Sequence, residues 1–296
     1  LSTGINGTSY PWQESVKVEL RNLPSNKILM NLEKAAARAY KIAESTYTAA
    51  ASGGQQIINL LPICLKNCNS VTILGPTYNE YEKAFKSSGI KTQTVSEVSK
   101  LSSSDIAIIV NPNNPTGKVI ADETLEDLSK KVRILIIDES FKMFSSRKTL
   151  NLSNIIQINS LGKFFGLAGL RLGFVSGPSD FIKAVREMLG PWPVSSLAAE
   201  IGIVALNDGV WISEMEKILV TESNALHEAC SSRNWELVGR TSLFHTYATS
   251  SCLEVEKQFA AHGIWVRTFD YSETWVRLGI PTSENQWERV KQALNQ

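Results

Sequence analysis

The sequence predicts an α/β fold: a large domain on a mainly parallel sheet, followed by a small C-terminal α/β domain. Three observations carry this expectation. Short, almost continuously apolar runs at Ile106–Val110, Ile134–Ile137 and Ile155–Ile158 read as strands buried on both faces, as in parallel sheets. Segments of helical periodicity alternate with such runs. Soon after each run comes a residue able to do chemistry, namely Asn114, Asp138 and Lys163. Ligands of open α/β sheets bind outside the carboxyl ends of the strands, so three such residues at three strand ends point to one site.

Composition excludes several classes. The 296 residues leave room for a sizeable core, and a net charge of +1 points to no strongly acidic partner. No apolar run is long enough to span a membrane, no nucleic-acid motif or basic patch stands out, and no leader pattern is visible, although the chain opens at Leu1 rather than Met. Cys64, Cys68, Cys230 and Cys252 lack zinc spacing, and the histidines are scattered. No metal is expected, and free thiols in a reducing cytoplasm are.

In chain order, residues 1–12 are rich in Gly, Ser, Thr and Asn and read as an extended arm or, equally, a frayed tail. Residues 31–45 are a helix, with Leu32, Ala35, Ala36 and Ala39 at helical spacing. Residues 46–52 read as a loop. Gly53-Gly54 then opens a helical stretch over 57–61 that Pro62 ends or kinks. Backbone N–H groups at a glycine-rich helix start can cradle an anion, although a Gly-Gly alone is a weak signal. Val71–Leu74 is a strand. Thr77-Tyr78-Asn79-Glu80 has capping-box form, which makes Thr77 the cap and Tyr78 the first helical residue, at the mouth of a strand–helix turn. An aromatic there suits stacking on a flat ring.

Ile106–Val110 runs into Asn111-Pro112-Asn113-Asn114-Pro115-Thr116-Gly117, a loop stiffened by its prolines, where Asn114 is able to donate through its amide. Residues 122–131 are a helix, acidic at the start and basic at the end. Asp138, at the end of the next buried strand, needs a cationic partner, and a protonated ring nitrogen would serve. The stretch Ser160-Leu161-Gly162-Lys163-Phe164-Phe165-Gly166-Leu167-Ala168-Gly169-Leu170-Arg171-Leu172-Gly173-Phe174 follows the strand at 155–159. A lysine in a glycine-lined hollow can be desolvated into an amine nucleophile, and Arg171 is able to hold a phosphate. Together they suggest a Schiff-base lysine beside pyridoxal phosphate. After a helix over 178–189, Gly190-Pro191-Trp192-Pro193 is a rigid break. Helices over 196–206, 211–233, 252–261 and 285–294 and strands over 243–248, 265–268 and 274–278 follow. Arg277, in a short apolar strand, requires an anion and suits a carboxylate.

The pattern Ser-x-x-Lys with Gly-Leu-Ala-Gly-x-Arg-x-Gly-Phe resembles the cofactor-lysine segment of fold-type I pyridoxal-phosphate enzymes, the aspartate-aminotransferase superfamily of class I/II aminotransferases. Asn-Pro-x-Asn-Pro-Thr-Gly and Gly-Pro-Thr-Tyr are also similar to that family. The wording from Gly162 to Gly169 and the segment Ser2-Thr3-Gly4-Ile5-Asn6 are closest to its cobalamin-biosynthesis branch, the threonine-phosphate decarboxylases. The resemblance implies a fold-type I architecture with a mainly parallel seven-stranded sheet. It implies an arm over 1–30, a large cofactor domain over 31–190 and a small domain over 191–296. Lys163 and Asp138 are then catalytic, and Gly53, Gly54, Tyr78, Asn114, Ser160 and Arg171 hold pyridoxal 5′-phosphate together with them. Asn114 bonds the cofactor's phenolic oxygen, Arg277 takes the substrate carboxylate, and Gly4 and Ile5 lie over the substrate. The family has Asp-x-x-Tyr or Asp-x-x-Phe, and Phe141 here lacks the hydroxyl of the former. The implied activity is decarboxylation of L-threonine O-3-phosphate to 1-aminopropan-2-ol phosphate and CO2. The alternative is an aminotransferase of the histidinol-phosphate type using the same residues. A cytoplasmic homodimer is implied too, although no aromatic corresponds clearly to the tyrosine that many relatives donate across the dimer.

Overall fold

The computed structural model of the protein describes residues 1–17, 19–65 and 67–295. Its large sheet contains β1 (Tyr47–Ala51), β2 (Ser70–Leu74), β3 (Lys91–Val95), β4 (Ile106–Val110), β5 (Ile134–Asp138), β6 (Ile155–Ser160) and β7 (Gly173–Gly177). The strand order is β1-β7-β6-β5-β4-β2-β3. Strands β3, β2, β4, β5 and β6 are mutually parallel, and β7 runs antiparallel to both β6 and β1. This is the expected mainly parallel sheet of seven strands.

The apolar runs are continuous because both faces are covered. Along β4, Ile106, Ile108 and Val110 enter one core with Ile57, Leu61, Tyr81 and Phe85. The intervening Ala107 and Ile109 enter another with Leu125, Leu128 and Leu150. Alternate side chains of a strand point to opposite faces, so every position of β4 is buried. The covering helices include α1 (Asn26–Ala39), α2 (Gly54–Cys64), α3 (Glu80–Ser87), α4 (Asp122–Ser129) and α5 (Ser179–Leu189).

Several elements differ from the sequence expectation. Helix α1 starts at Asn26 rather than 31, because the Ser25 hydroxyl caps it by accepting from the Ile28 N–H. The expected loop over 46–52 contains β1, whose Tyr-Thr-Ala-Ala-Ala has a weak strand signature but pairs in register with β7. Pro62 lies inside α2, which continues to Cys64. Thr77 does not cap α3, and Tyr78 is not helical. The cap is Asn79, and the Thr77 hydroxyl instead donates to Asn113 Oδ1 at 2.6 Å, a tertiary bond that displaces the local one.

The second half adds α6 (Ser196–Asn207), α7 (Gly209–Cys230), α8 (Cys252–Ala261) and α9 (Glu284–Leu294). Its antiparallel sheet comprises β8 (Glu236–Arg240), β9 (Phe244–Ala248), β10 (Arg267–Phe269) and β11 (Ser272–Gly279), in the order β10-β11-β9-β8. The rigid break near residue 190 precedes α6, which packs against α1 of the large unit. The change of core occurs within α7. Its Ile212, Met215 and Leu219 join the cluster around α1 and α6, whereas Leu226 and Cys230 join the core of the small sheet.

A buried polar chain threads the small unit. His245 of β9 has Nε2 2.8 Å from Ser223 Oγ and Nδ1 3.1 Å from the Tyr247 hydroxyl. Burial, with Arg240 and His227 adding, pushes its pKa down from 6.5 to about 3. The unfolded chain therefore binds a proton below about pH 6.5 that the folded chain refuses until near pH 3. This contribution to stability is complete above pH 6.5 and is lost as pH falls, on the order of several kcal/mol across the interval. Urea unfolding at pH 7.5, 6 and 5 should show a steeper loss of stability for the wild type than for His245→Gln. Parallel slopes would show that His245 does not titrate as its surroundings require.

Candidate active site

The strand order sets β4, β5 and β6 side by side, with Asp138 opposite Val110 on one side and Ile158 on the other. The loops after these strands bring Asn114, Asp138 and Lys163 to one edge of the sheet. Asp138 is 6% exposed. Its Oδ1 accepts from the Ser140 N–H at 2.9 Å and its Oδ2 from the Tyr81 hydroxyl at 2.7 Å. Burial pushes the Asp138 carboxyl up, and the bonds from Ser140 and Tyr81 and the charge of Lys163 work against that rise. Among the described residues no side chain forms an ion pair with it.

Lys163 is held by the loop following β6. Ser160 Oγ accepts from the Gly162 N–H at 3.2 Å, and the Asn6 N–H donates to the Lys163 carbonyl at 3.0 Å. Burial lowers the Lys163 pKa, the cations Arg277 and Arg171 add to this, and Asp138 opposes it. A lysine shifted this way is more often a free amine, as a nucleophile or proton carrier requires. Its ammonium sits 5.4 Å from the centre of the Phe141 ring.

Gly53 caps α2 with φ +89°, a conformation that favours glycine. A Cβ there would stand 2.7 Å from Arg171 Nη2. The arginine fork thus lies directly against the start of α2, where free N–H groups and the helix dipole favour an anion. Gly54, the next residue, has open space where a Cβ would go. Arg171 itself is left-handed, with φ +54°, and its Nη1 donates to the Ala168 carbonyl at 3.2 Å.

Tyr78 stands over this region, its hydroxyl donating to Gln55 Oε1 at 3.0 Å. Asn113 donates to the Pro76 carbonyl at 2.9 Å and to Thr116 Oγ1 at 2.7 Å, which ties the Asn114 loop to the Tyr78 turn. Arg277 of β11 is 8% exposed. It donates through Nη1 to Asn114 Oδ1 and through Nη2 to the Ser2 carbonyl at 2.8 Å, while its Nε is buried without a partner. Burial, with Arg267 adding, lowers its pKa to about 10, so it stays charged at neutral pH. An unpartnered N–H on a buried guanidinium is costly unless an anion fills the place.

Two adjoining cavities result. The inner one, about 160 Å³, is lined by Gly54, Tyr78, Asn114, Asp138, Lys163 and Arg171 among others. The outer one, about 530 Å³, shares Tyr78, Asn114 and Lys163 with it and adds Gly4, Ile5 and Arg277. An unpaired buried carboxylate at one end, an anion cradle at the other, an aromatic face and a depressed lysine fit a flat, phosphorylated, nitrogen-containing aldehyde.

The sequence matches the aminotransferase class I and II family over residues 13–294. It is 33% identical to a threonine-phosphate decarboxylase of Pseudomonas aeruginosa over 274 residues, 88% of this chain and 81% of that protein. It is 30% identical to one of a Sinorhizobium species, covering 99% of this chain and 90% of that protein. The chain belongs to the aminotransferase class I and II family. Its cofactor is accordingly pyridoxal 5′-phosphate. The fold agrees: a histidinol-phosphate aminotransferase from Clostridium acetobutylicum superposes with a TM-score of 0.87 at 21% identity, covering 99% of this chain and 97% of that one.

The structure gathers the residues expected from the sequence around the two cavities, Ser160 lining the inner one and Gly53 standing against Arg171 outside both linings. It also adds residues that the sequence reading passed over. Tyr81 sits on the buried face of α3, yet its hydroxyl reaches Asp138. Gln55 steadies Tyr78, and Arg267 lines the outer cavity. Only a lone hydroxyl in a buried helix face hinted at the first, and nothing local marked the others. If Gly53 and Arg171 form the phosphate cradle together, Gly53→Ala should weaken pyridoxal-phosphate binding about tenfold, because one lost charge-assisted contact is worth about 1.4 kcal/mol or more. Gly54→Ala should leave it within about threefold of wild type. Equilibrium dialysis checks both, and equal effects would contradict the cradle.

Proposed function

We propose that the protein decarboxylates L-threonine O-3-phosphate to 1-aminopropan-2-ol phosphate and CO2, a reaction of cobalamin biosynthesis. The observation that carries this reading is the similarity, over almost the whole length, to two relatives that bear the decarboxylase name. The outer cavity supports it. Arg277 lines this cavity, and a nearly buried guanidinium fork suits a carboxylate. Arg267 lines the same cavity and, among the described residues, makes no ion pair. Two arginines suit a substrate with two anionic groups, a carboxylate and a phosphate. Histidinol phosphate carries only the phosphate.

Bound pyridoxal phosphate supplies an electron sink for bond cleavage at the substrate's α-carbon. Asp138 would keep the ring nitrogen protonated, Arg171 and the start of α2 would hold the phosphate, and Tyr78 would cover the ring. Asn114 has its oxygen taken by Arg277, which leaves its amide N–H groups for the cofactor's phenolic oxygen. Lys163 lines the same cavity, where its ammonium form could give the α-carbon the proton that replaces the departing CO2 and so become the neutral amine. The arm, bonded to the Lys163 loop and to Arg277, roofs the site and limits water.

Reconstituted protein given O-phospho-L-threonine without a keto acid should release many equivalents of CO2 per site while the aldehyde cofactor persists. Lys163→Ala should lower this at least a thousandfold, as expected for loss of a catalytic acid/base. One-time conversion to pyridoxamine phosphate without CO2 would establish an aminotransferase instead.

We also propose a homodimer. Leu20, Leu23, Met30 and Trp192 are exposed apolar residues, and Ser196 Oγ bonds the Asn22 carbonyl at 2.9 Å, which ties two of the segments together. Exposed apolar patches of this kind mark partner surfaces. Sedimentation equilibrium at micromolar concentration should give twice the chain mass of 32.7 kDa. A single-chain mass would refute the dimer.

A further inference from the structure

Tyr81 is fully buried in the core between α3 and the large sheet, among Ile73, Phe85, Ile108 and other apolar residues. A phenylalanine would satisfy that packing. A hydroxyl in such a place is costly unless it is bonded, and its partner is Asp138 Oδ2 at 2.7 Å. Ser140 N–H holds the other oxygen. One donor on each oxygen fixes the plane of the carboxylate and leaves its remaining lone pairs for one further donor. Burial and the charge of Asp138 raise the Tyr81 pKa well above that of an ordinary phenol, so the hydroxyl remains a donor at every working pH.

We propose that Tyr81 is a positioning residue: its hydroxyl orients Asp138 toward the ring nitrogen of bound pyridoxal phosphate and keeps that proton on the ring. The proposal rests on the reading of Asp138 as the partner of the ring nitrogen. The other charged or titratable groups nearby are Lys163 on the loop after β6, Tyr78 before α3, Arg171 and Arg277 beyond the lysine, and Glu139. Glu139 is already neutralised by Lys142 at 2.7 Å and Arg147 at 3.0 Å. Ser140, beside it in the chain, and Tyr81, from the core, are therefore the residues whose hydrogen bonds act on Asp138, and Tyr81 alone reaches its Oδ2 from a distant element, at 2.7 Å. Without it Asp138 becomes more basic and takes a larger share of the ring proton. Less positive charge on the bound cofactor's ring would raise the pH midpoint of its visible absorption band.

The test compares reconstituted wild type, Tyr81→Phe and Asp138→Asn by cofactor dissociation constant and by the pH midpoint of the visible absorption band. Tyr81→Phe should weaken cofactor binding about tenfold and raise the midpoint by about half to one pH unit. Wild-type values for Tyr81→Phe beside displaced values for Asp138→Asn would overturn the proposal and leave the Asp138 reading intact. Wild-type values for Asp138→Asn would overturn the Asp138 reading and the proposal with it. If Tyr81→Phe does not fold, 3-fluorotyrosine at position 81 decides. It keeps the shape and strengthens the donor, so the midpoint should move down, and an unmoved midpoint would overturn the proposal.

Discussion

Asp138 ends the central strand of the sheet with its carboxylate out of water. A bare carboxylate there would be costly, and the surroundings lower that cost without neutralising it. Ser140 and Tyr81 each donate one hydrogen bond, and Lys163 contributes a positive charge that is itself weakened by burial. What remains is a demand for one more cationic donor, which the ring nitrogen of pyridoxal phosphate meets. The other parts of the site are placed relative to that ring. In the proposed reading the cradle of Gly53 and Arg171 would take the phosphate, Tyr78 the face and Lys163 the aldehyde.

The substrate side is built from the opposite end of the chain. Arg277 lies on the small sheet, yet its guanidinium bonds Asn114 of the large unit and the carbonyl of Ser2 in the arm. The arm also bonds the Lys163 loop through Asn6, and Leu1 accepts from the Gly279 N–H at 2.7 Å. A Cβ on Gly279 would stand 2.4 Å from the Thr3 carbonyl, so only glycine lets the arm cross there. One irregular segment thus ties the Lys163 loop to Arg277. Its anchoring is tertiary, which is why residues 1–12 read equally well as an arm or a tail.

The misread elements share a cause. Strand β1 reads as a loop in the sequence because alanines carry little strand preference, and its pairing with β7 is what makes it a strand. Thr77 had a local capping role available, and the Asn113 side chain outcompeted it. Pro62, which by sequence ends or kinks its helix, lies inside α2, which closes two residues later. In each case a contact with a distant segment, or the nearness of a helix end, outweighed the local preference.

By itself the sequence determined the alternation of buried strands and helices, because apolar periodicity and runs are properties of neighbouring residues. It also determined the chemical identity of the site. Asn114, Asp138, Lys163, Arg171 and Arg277 stand in motifs whose residue types admit few other uses. The tertiary structure alone decided which oxygen of Asp138 is held and by what, since Tyr81 sits 57 residues from it. It alone decided that Arg277 of the small sheet lines the same cavity as Lys163. Such pairings depend on strand order, register and the meeting of side chains far apart in the chain, and no local pattern encodes them.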